Sequence, residues 1–401
     1  MEAQKIFLLV IAAGALFIFF QQQNSTTTKS YPITRSTFNH LDIDHALSTR
    51  NQWKTPSSSH NVSSKIKTST DRNQIVLNKS TKDFNKLSWA RRFNFIKKFP
   101  LYEREKQTRI LLISYFRSGS SFIGDLLQQN WKSFYTFEPL HYMTRQTRIG
   151  DNNLTEAINL IDDIYRCDFK TNSSYIHWLE SNQFLIRWNH FFWNICKLLS
   201  TNMCFDDFLM KQVCIRSKYN LIKTVRLKIR HIESLLQRLS DNQIENLKII
   251  YLVRDPRGIY NSRKTMDWCN NDDCRNLTNI CSEIREDLNE FERIKSKLKN
   301  DLILLRYEDI SKDPSKQSER LFSEINVEFS PRIRQFLRTH TKSYKETKKD
   351  EKKNPYSTYR ADSGVTATQW TKELNSSEID FARTVCKDVL ERLNYNLTIV
   401  K

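Results

Sequence analysis

The segment Arg109-Ile-Leu-Leu-Ile-Ser-Tyr-Phe-Arg-Ser-Gly-Ser-Ser-Phe-Ile-Gly-Asp-Leu-Leu127 changes its hydrophobic period part way along. Residues 110–114 are an apolar run closed by Ser114, which suits a strand buried on both faces. Beyond a group of small residues, Ile123, Leu126 and Leu127 fall on the inner side of a helix. The turn between them, Arg117-Ser118-Gly119-Ser120-Ser121-Phe122, therefore opens a helix N-terminus. Backbone N–H groups at such a start, together with the helix dipole, make a cradle for an anion. Arg117 adds a forked cation, and Ser118, Ser120 and Ser121 add hydroxyl donors. An ordinary strand-to-helix turn capped by serine is the competing reading. A nucleotide triphosphatase loop would carry G-x-x-x-x-G-K-[ST], with its hydroxyl on magnesium. That Lys-Ser/Thr pair is missing, so the loop reads as a phosphate site that needs no metal.

A second segment, Ile249-Ile-Tyr-Leu-Val-Arg-Asp-Pro-Arg-Gly-Ile-Tyr-Asn-Ser-Arg263, repeats the order of strand, turn and helix, with Pro256 suited to the first helical turn. Arg254 falls at the strand end and Ser262 two turns into the helix, so both can meet one anion; an ion pair of Arg254 with Asp255 or Asp309 competes. Two anion sites on adjacent units predict a ligand with phosphates at both ends of a ribose. Further buried runs at 134–137, 221–225 and 302–305 bring the strands to five, with helical patterns between them. Ile232, Leu235, Leu236 and Leu239 share one helical face, residues 280–298 form a long helix charged on its outside, and a helix over 376–393 closes the chain. The alternation predicts an α/β fold: a central parallel sheet of about five strands flanked by helices, over 87–401.

The chain has 401 residues, with 64 Lys plus Arg against 45 Asp plus Glu, a net charge of +19. That excess favours polyanionic partners, and the compartment decides which. Residues 6–20 (IFLLVIAAGALFIFF) are uncharged and apolar behind the short head 1–5. At about 1.5 Å per residue the run falls short of the roughly 30 Å hydrocarbon core, a gap that Gln21–Gln23 and a thin early-secretory membrane would close. Its small residues lie inside the run, which favours a retained signal anchor over a cleaved signal peptide. Residues 21–86, rich in Ser, Thr, Asn and Lys without a period, read as a flexible lumenal stem. Glycosylation sequons at Asn24, Asn61, Asn78, Asn153, Asn172, Asn276, Asn375 and Asn396 fit a secretory chain. The 8 cysteines, all beyond residue 160, read as disulfides of unreadable connectivity in an oxidising lumen. Nucleic acid is thereby excluded as the partner, and the layout is that of a single-pass type II Golgi membrane protein with a lumenal body.

Together the motifs resemble the 5′-phosphosulfate and 3′-phosphate segments of sulfotransferases, which use 3′-phosphoadenylyl sulfate (PAPS). More narrowly, YFRSGSSFIGDLL, FYTFEPLHYM, LIKTVRL, IIYLVRDPRGIYNSR, LLRYEDI and YSTYRADS are similar to the Golgi carbohydrate 6-O-sulfotransferases, in family order over about Arg109–Asn394. Arg254 and Ser262 keep the family's eight-residue spacing, whereas 143–220 matches poorly and is where acceptor specificity is expected. The resemblance implies a P-loop-like sulfotransferase fold, and PAPS-dependent transfer of a sulfuryl group to the 6-hydroxyl of galactose, N-acetylglucosamine or N-acetylgalactosamine. The acceptor would be a glycosaminoglycan or a glycoprotein glycan.

The implied nucleotide-binding set is Arg117, Ser118, Gly119, Ser120, Ser121, Phe122, Arg254, Ser262 and Arg360. Arg117 would also offset charge on the leaving phosphate, and Glu138, in Phe137-Glu138-Pro139, would take the hydroxyl proton. His141 is the alternative base, and an ion pair of Glu138 with Arg117 or Arg254 is the competing structural role. Ser363 accompanies Arg360 in a late segment expected to close over the nucleotide, and Lys223 and Arg226 face either the ligand or an ion pair. The cluster Trp188, His190, Phe191, Phe192 and Trp193 reads as core ahead of a sugar platform, and the basic run 345–353 as a solvated face. By position in the resemblance, Cys281 and Cys386 pair. A Golgi glycosyltransferase is an alternative whose D-x-D would have to be Asp42-Ile-Asp44, in the stem. A non-catalytic glycan-binding protein retaining the fold is a second alternative.

Overall fold

The computed structural model describes residues 94, 96–298, 301–342 and 356–397. The head, anchor and stem (1–86) and the basic run 345–353 lie outside the described residues. Among the described residues, no helix is long and apolar enough to cross a membrane.

The five apolar runs become strands: β1 (Thr108–Ser114), β2 (Ser133–Phe137), β3 (Tyr219–Thr224), β4 (Leu247–Val253) and β5 (Leu302–Arg306). They form one sheet in the order β2-β3-β1-β4-β5, every pair parallel. The helices include, in chain order, α1 (Ser120–Leu127), α2 (Leu154–Tyr165), α3 (Ser173–Ser181), α4 (Gln183–Ile186), α5 (His190–Leu199), α6 (Ile232–Arg238), α7 (Pro256–Lys264), α8 (Leu277–Leu298), α9 (Tyr307–Lys312), α10 (Pro314–Glu324), α11 (Pro331–Thr341), α12 (Ser376–Val385) and α13 (Lys387–Arg392).

Side chains alternate along each strand, yet both faces are dry. Ile110 and Leu112 of β1, with Ile250 and Leu252 of β4, pack against α1, α10 and α11 through Ile123, Leu126, Phe322 and Phe336. Leu111 and Ile113, with Ile249 and Tyr251, pack on the opposite side against α2, α8 and α13 through Ile161, Ile284 and Leu390. Helices on both faces are why these strands read as unbroken apolar runs instead of alternating ones.

Two helices are shorter than expected. α6 ends at Arg238 because Leu239 turns to extended backbone (ψ 147°). The closing helix is two, α12 and α13, broken at Cys386, which leaves helical geometry (φ −110°, ψ 11°) where its sulfur bridges to Cys281 of α8. That bridge, expected from the resemblance, spans 105 residues, a loop length for which chain entropy alone gives about 4–5 kcal/mol. The remaining bridges are Cys167–Cys214, Cys196–Cys204 and Cys269–Cys274. The first two staple the helical insertion between β2 and β3, the stretch whose sequence departs from the family pattern.

Candidate active site

With β1 flanked by β3 and β4, the loops leaving these three strands meet at their carboxyl ends, the usual ligand position in a parallel α/β sheet. Between Ser114 and α1 the chain takes left-handed backbone twice, at Arg117 (φ 72°) and Gly119 (φ 88°). For Arg117 that is a strained conformation, of the kind concentrated at ligand clamps. Gly119 is required on two counts: its φ disfavours a side chain, and a Cβ there would lie 2.4 Å from the Tyr307 ring. Ser118 is wholly buried, and its Oγ has no hydrogen-bond partner among the described residues. An orphaned buried hydroxyl costs about 1–3 kcal/mol, which an anionic oxygen at this loop would recover. Ser120 is buried and Ser121 half-buried in the first turn of α1. Phe122 gives its N–H to the Gly119 carbonyl and stacks its ring on Phe336, centroids 5.8 Å apart, so its side chain belongs to the packing of that face and not to the lining of the loop.

The second segment meets the first. Asp255 caps α7 and is taken up by Arg257, whose N, Nε and Nη2 donate to the carboxylate at 2.8–3.2 Å. Asp309 lies near Arg306 at 3.6 Å. The ion pairs that competed for Arg254 are therefore made by other cations, and no carboxylate lies within 4 Å of Arg254 among the described residues. Its guanidinium lies 4.8 Å over the Tyr307 ring and donates from Nη1 to the Arg117 carbonyl at 2.9 Å. Its buried Nε has no partner among the described residues. Arg117 Nε in turn donates to Ser262 Oγ at 3.0 Å. Arg117, Arg254 and Ser262, drawn from two segments 137 and 145 residues apart, thus form one cationic pocket.

Glu138 directly follows β2 in left-handed backbone (φ 52°) and is 4% exposed. Its Oε1 accepts from Lys223 Nζ at 2.5 Å and from the Val225 N–H at 3.1 Å, and its Oε2 from Arg226 Nη1 at 2.5 Å. Burial pushes this carboxyl up, but Lys223, Arg226 and the Val225 amide outweigh it and hold Glu138 below its ordinary 4.5. An ion pair is therefore present, but its cations come from β3 and the residues after it, not from Arg117 or Arg254. Positive charge nevertheless prevails. Burial first, then Arg226 and Arg117, hold the Lys223 amine below its ordinary value despite Glu138. Arg117 is pushed down to about 10 by burial, Arg254 and Arg360. Cations that depress one another in a buried site are relieved by a bound anion.

His141 donates its N–H to the Glu138 carbonyl at 3.0 Å. Burial, then Arg226, pushes its imidazole down to about 4, so it is neutral at pH 7. Arg360 bonds through its N–H to the His340 carbonyl and through Nη1 to the carbonyls of Ser357 and Tyr359, close enough to Arg117 to act on its charge. Ser363 Oγ is used on the Ser311 carbonyl at 2.8 Å, a structural tie between the late segment and α9. In the aromatic cluster, Phe192 is wholly buried against Phe134 and Trp188 stacks on Phe137 at 4.7 Å, which is core packing. The sequence reading assigned no role to Tyr307, which both walls Gly119 and carries Arg254; an aromatic directly after β5 was the available signal. Among the described residues, no group of three or more His, Cys, Asp or Glu side chains is suited to a metal ion.

Residues 107–394 match the sulfotransferase domain model, and the chain belongs to that family of enzymes. Its relatives include carbohydrate sulfotransferase 1 of Mus musculus, 26% identical over 343 residues that cover 74% of this chain and 81% of that protein. Carbohydrate sulfotransferase 3 of Tetronarce californica is 25% identical, over 72% of each. Among solved structures, the sulfotransferase domain from the Synechococcus PCC 7002 olefin synthase is 15% identical with a TM-score of 0.42, covering 75% of this chain and 98% of that one.

Proposed function

We propose that this enzyme transfers a sulfuryl group from PAPS to the 6-hydroxyl of a galactose, N-acetylglucosamine or N-acetylgalactosamine residue in a glycosaminoglycan or glycoprotein glycan. The observation that carries the reading is the pocket in which Arg117 joins Ser262 and Arg254 above an orphaned Ser118 hydroxyl. The loop 117–121 takes the 5′-phosphate end, and Arg254 and Ser262 take the 3′-phosphate. When bound, PAPS supplies the sulfuryl group and a phosphate leaving group. Glu138 accepts the proton of the sugar hydroxyl as its oxygen bonds to sulfur, and Arg117 offsets the charge left on phosphate as the old S–O bond breaks. Lys223 is shared between Glu138 and the cationic pocket. Drawing its amine toward an anion frees Oε1 and raises the basicity of Glu138 as the ligand arrives. His141, neutral and one turn away, is the alternative base. The disulfides, the sequons and the apolar run 6–20 support a Golgi lumenal body behind a type II membrane anchor.

The test is transfer from labelled PAPS by the full-length chain in detergent, without added metal, to desulfated keratan, desulfated chondroitin and N-acetylglucosamine-terminated oligosaccharides. Label at the sugar 6-position with release of adenosine 3′,5′-bisphosphate is the expected result. Glycan binding without transfer overturns the proposal in favour of a non-catalytic binding protein.

A further inference from the structure

The residues after Glu138 meet a group of aromatic rings, one of them exposed. A 3₁₀ turn, Pro139–Tyr142, carries His141, and its imidazole packs tilted against Trp178 (5.6 Å, 57°) and edge-on to Phe184 (6.2 Å, 77°). α3 buries Tyr175, Ile176 and Leu179 and leaves Trp178 half-covered. α4 buries Leu185 and Ile186 and leaves Phe184 53% exposed. A single exposed phenylalanine needs no explanation in a soluble fold. Phe184 is not isolated, because it adjoins the ring of His141, whose backbone N–H donates to the backbone carbonyl of the candidate base. The His141 Nδ1 is buried with no hydrogen-bond partner among the described residues.

We infer that Trp178, Phe184 and His141 form the platform on which a pyranose ring of the acceptor glycan stacks beside Glu138. A pyranose presents a face of C–H bonds, which suits the negative face of an aromatic ring, and a rim of hydroxyls, which needs hydrogen-bond partners. The platform supplies both, with a neutral imidazole serving the rim. The occupant is the sugar and not the nucleotide, because the cations assigned to the nucleotide, Arg117 and Arg254, lie over other rings, Tyr356 and Tyr307. Two of its rings, Trp178 and Phe184, belong to the helical insertion whose sequence departs from the family, the expected place for acceptor choice. This inference rests on the proposed sugar acceptor.

The experiment is steady-state kinetics of full-length Phe184→Ala with labelled PAPS and whichever desulfated glycan the unsubstituted protein sulfates. Loss of one ring contact, about 1.4 kcal/mol, raises the acceptor KM about tenfold and leaves the KM for PAPS unchanged. Phe184→Trp restores the acceptor KM. Phe381→Ala removes an equally exposed ring (53%) from α12 and changes neither constant. An acceptor KM within twofold of the unsubstituted protein, or a rise in the PAPS KM instead, overturns the platform while leaving the proposed function standing. If the unsubstituted protein sulfates no glycan, the proposed function falls first and the platform with it.

Discussion

Replacing Glu138 with glutamine separates two duties of one side chain. The carboxylate sits among Lys223 Nζ, Arg226 Nη1 and the Val225 N–H, and both cations are at most 6% exposed in their side chains. Glutamine keeps the volume and one acceptor oxygen but turns an N–H₂ donor toward groups that are themselves donors. Removing one partner of a buried ion pair costs about 3–5 kcal/mol, because the other charge stays buried and unmatched. At roughly 2–4 °C per kcal/mol, Glu138→Gln lowers the melting temperature by at least about 6 °C. Transfer falls by about 10²–10⁴ if the same carboxylate is the base. The double variant Glu138→Gln/Lys223→Met removes an unmatched cation, so it regains part of the stability and none of the activity. The assays are a thermal scan, calorimetric titration with adenosine 3′,5′-bisphosphate at a temperature where each variant is folded, and transfer of labelled sulfate. A melting temperature within about 2 °C of the unsubstituted protein would refute the buried triad. Turnover within tenfold of the unsubstituted protein would remove Glu138 from the chemistry whatever its structural worth.

The acid side of the kcat/KM profile should be flat from about pH 7 down to about pH 5, since Glu138 lies below 4.5 and His141 near 4; an inflection near the ordinary histidine value of 6.5 would contradict both assignments. Stability follows the buried histidines His231 and His340, each pushed down by burial to about 4. Because their folded values lie below the unfolded 6.5, their contribution is complete above that value and is lost as the pH falls toward 4, which denaturant titration at stepped pH would read. Gly119→Ala should abolish measurable nucleotide binding, because the Cβ displaces the Tyr307 ring that carries Arg254. Unchanged affinity in calorimetry would show that the loop reshapes freely.

The five strands were legible because both their faces are buried, so each is a continuous apolar run ended by turn residues. The two strand–turn–helix segments that carry the candidate site were legible for a related reason. A strand followed by small residues and a helix is local chemistry, and the spacing of Arg254 and Ser262 is a property of α7. Helix ends were less legible where a distant partner decides them, as Cys281 does at the break between α12 and α13.

The chain's own order of residues settled the parallel sheet and the two turns that lead from strand into helix, because each depends on neighbours within a helical turn or a strand. Folding decided what those groups touch. The partners of Glu138 are 85 and 88 residues away, the ring that makes Gly119 obligatory belongs to α9, and Arg117 reaches Ser262 across 145 residues. Charge and packing act through space, so a carboxylate whose nearest sequence neighbours are Phe137 and Pro139 acquires its acidity only when β3 is laid beside β2.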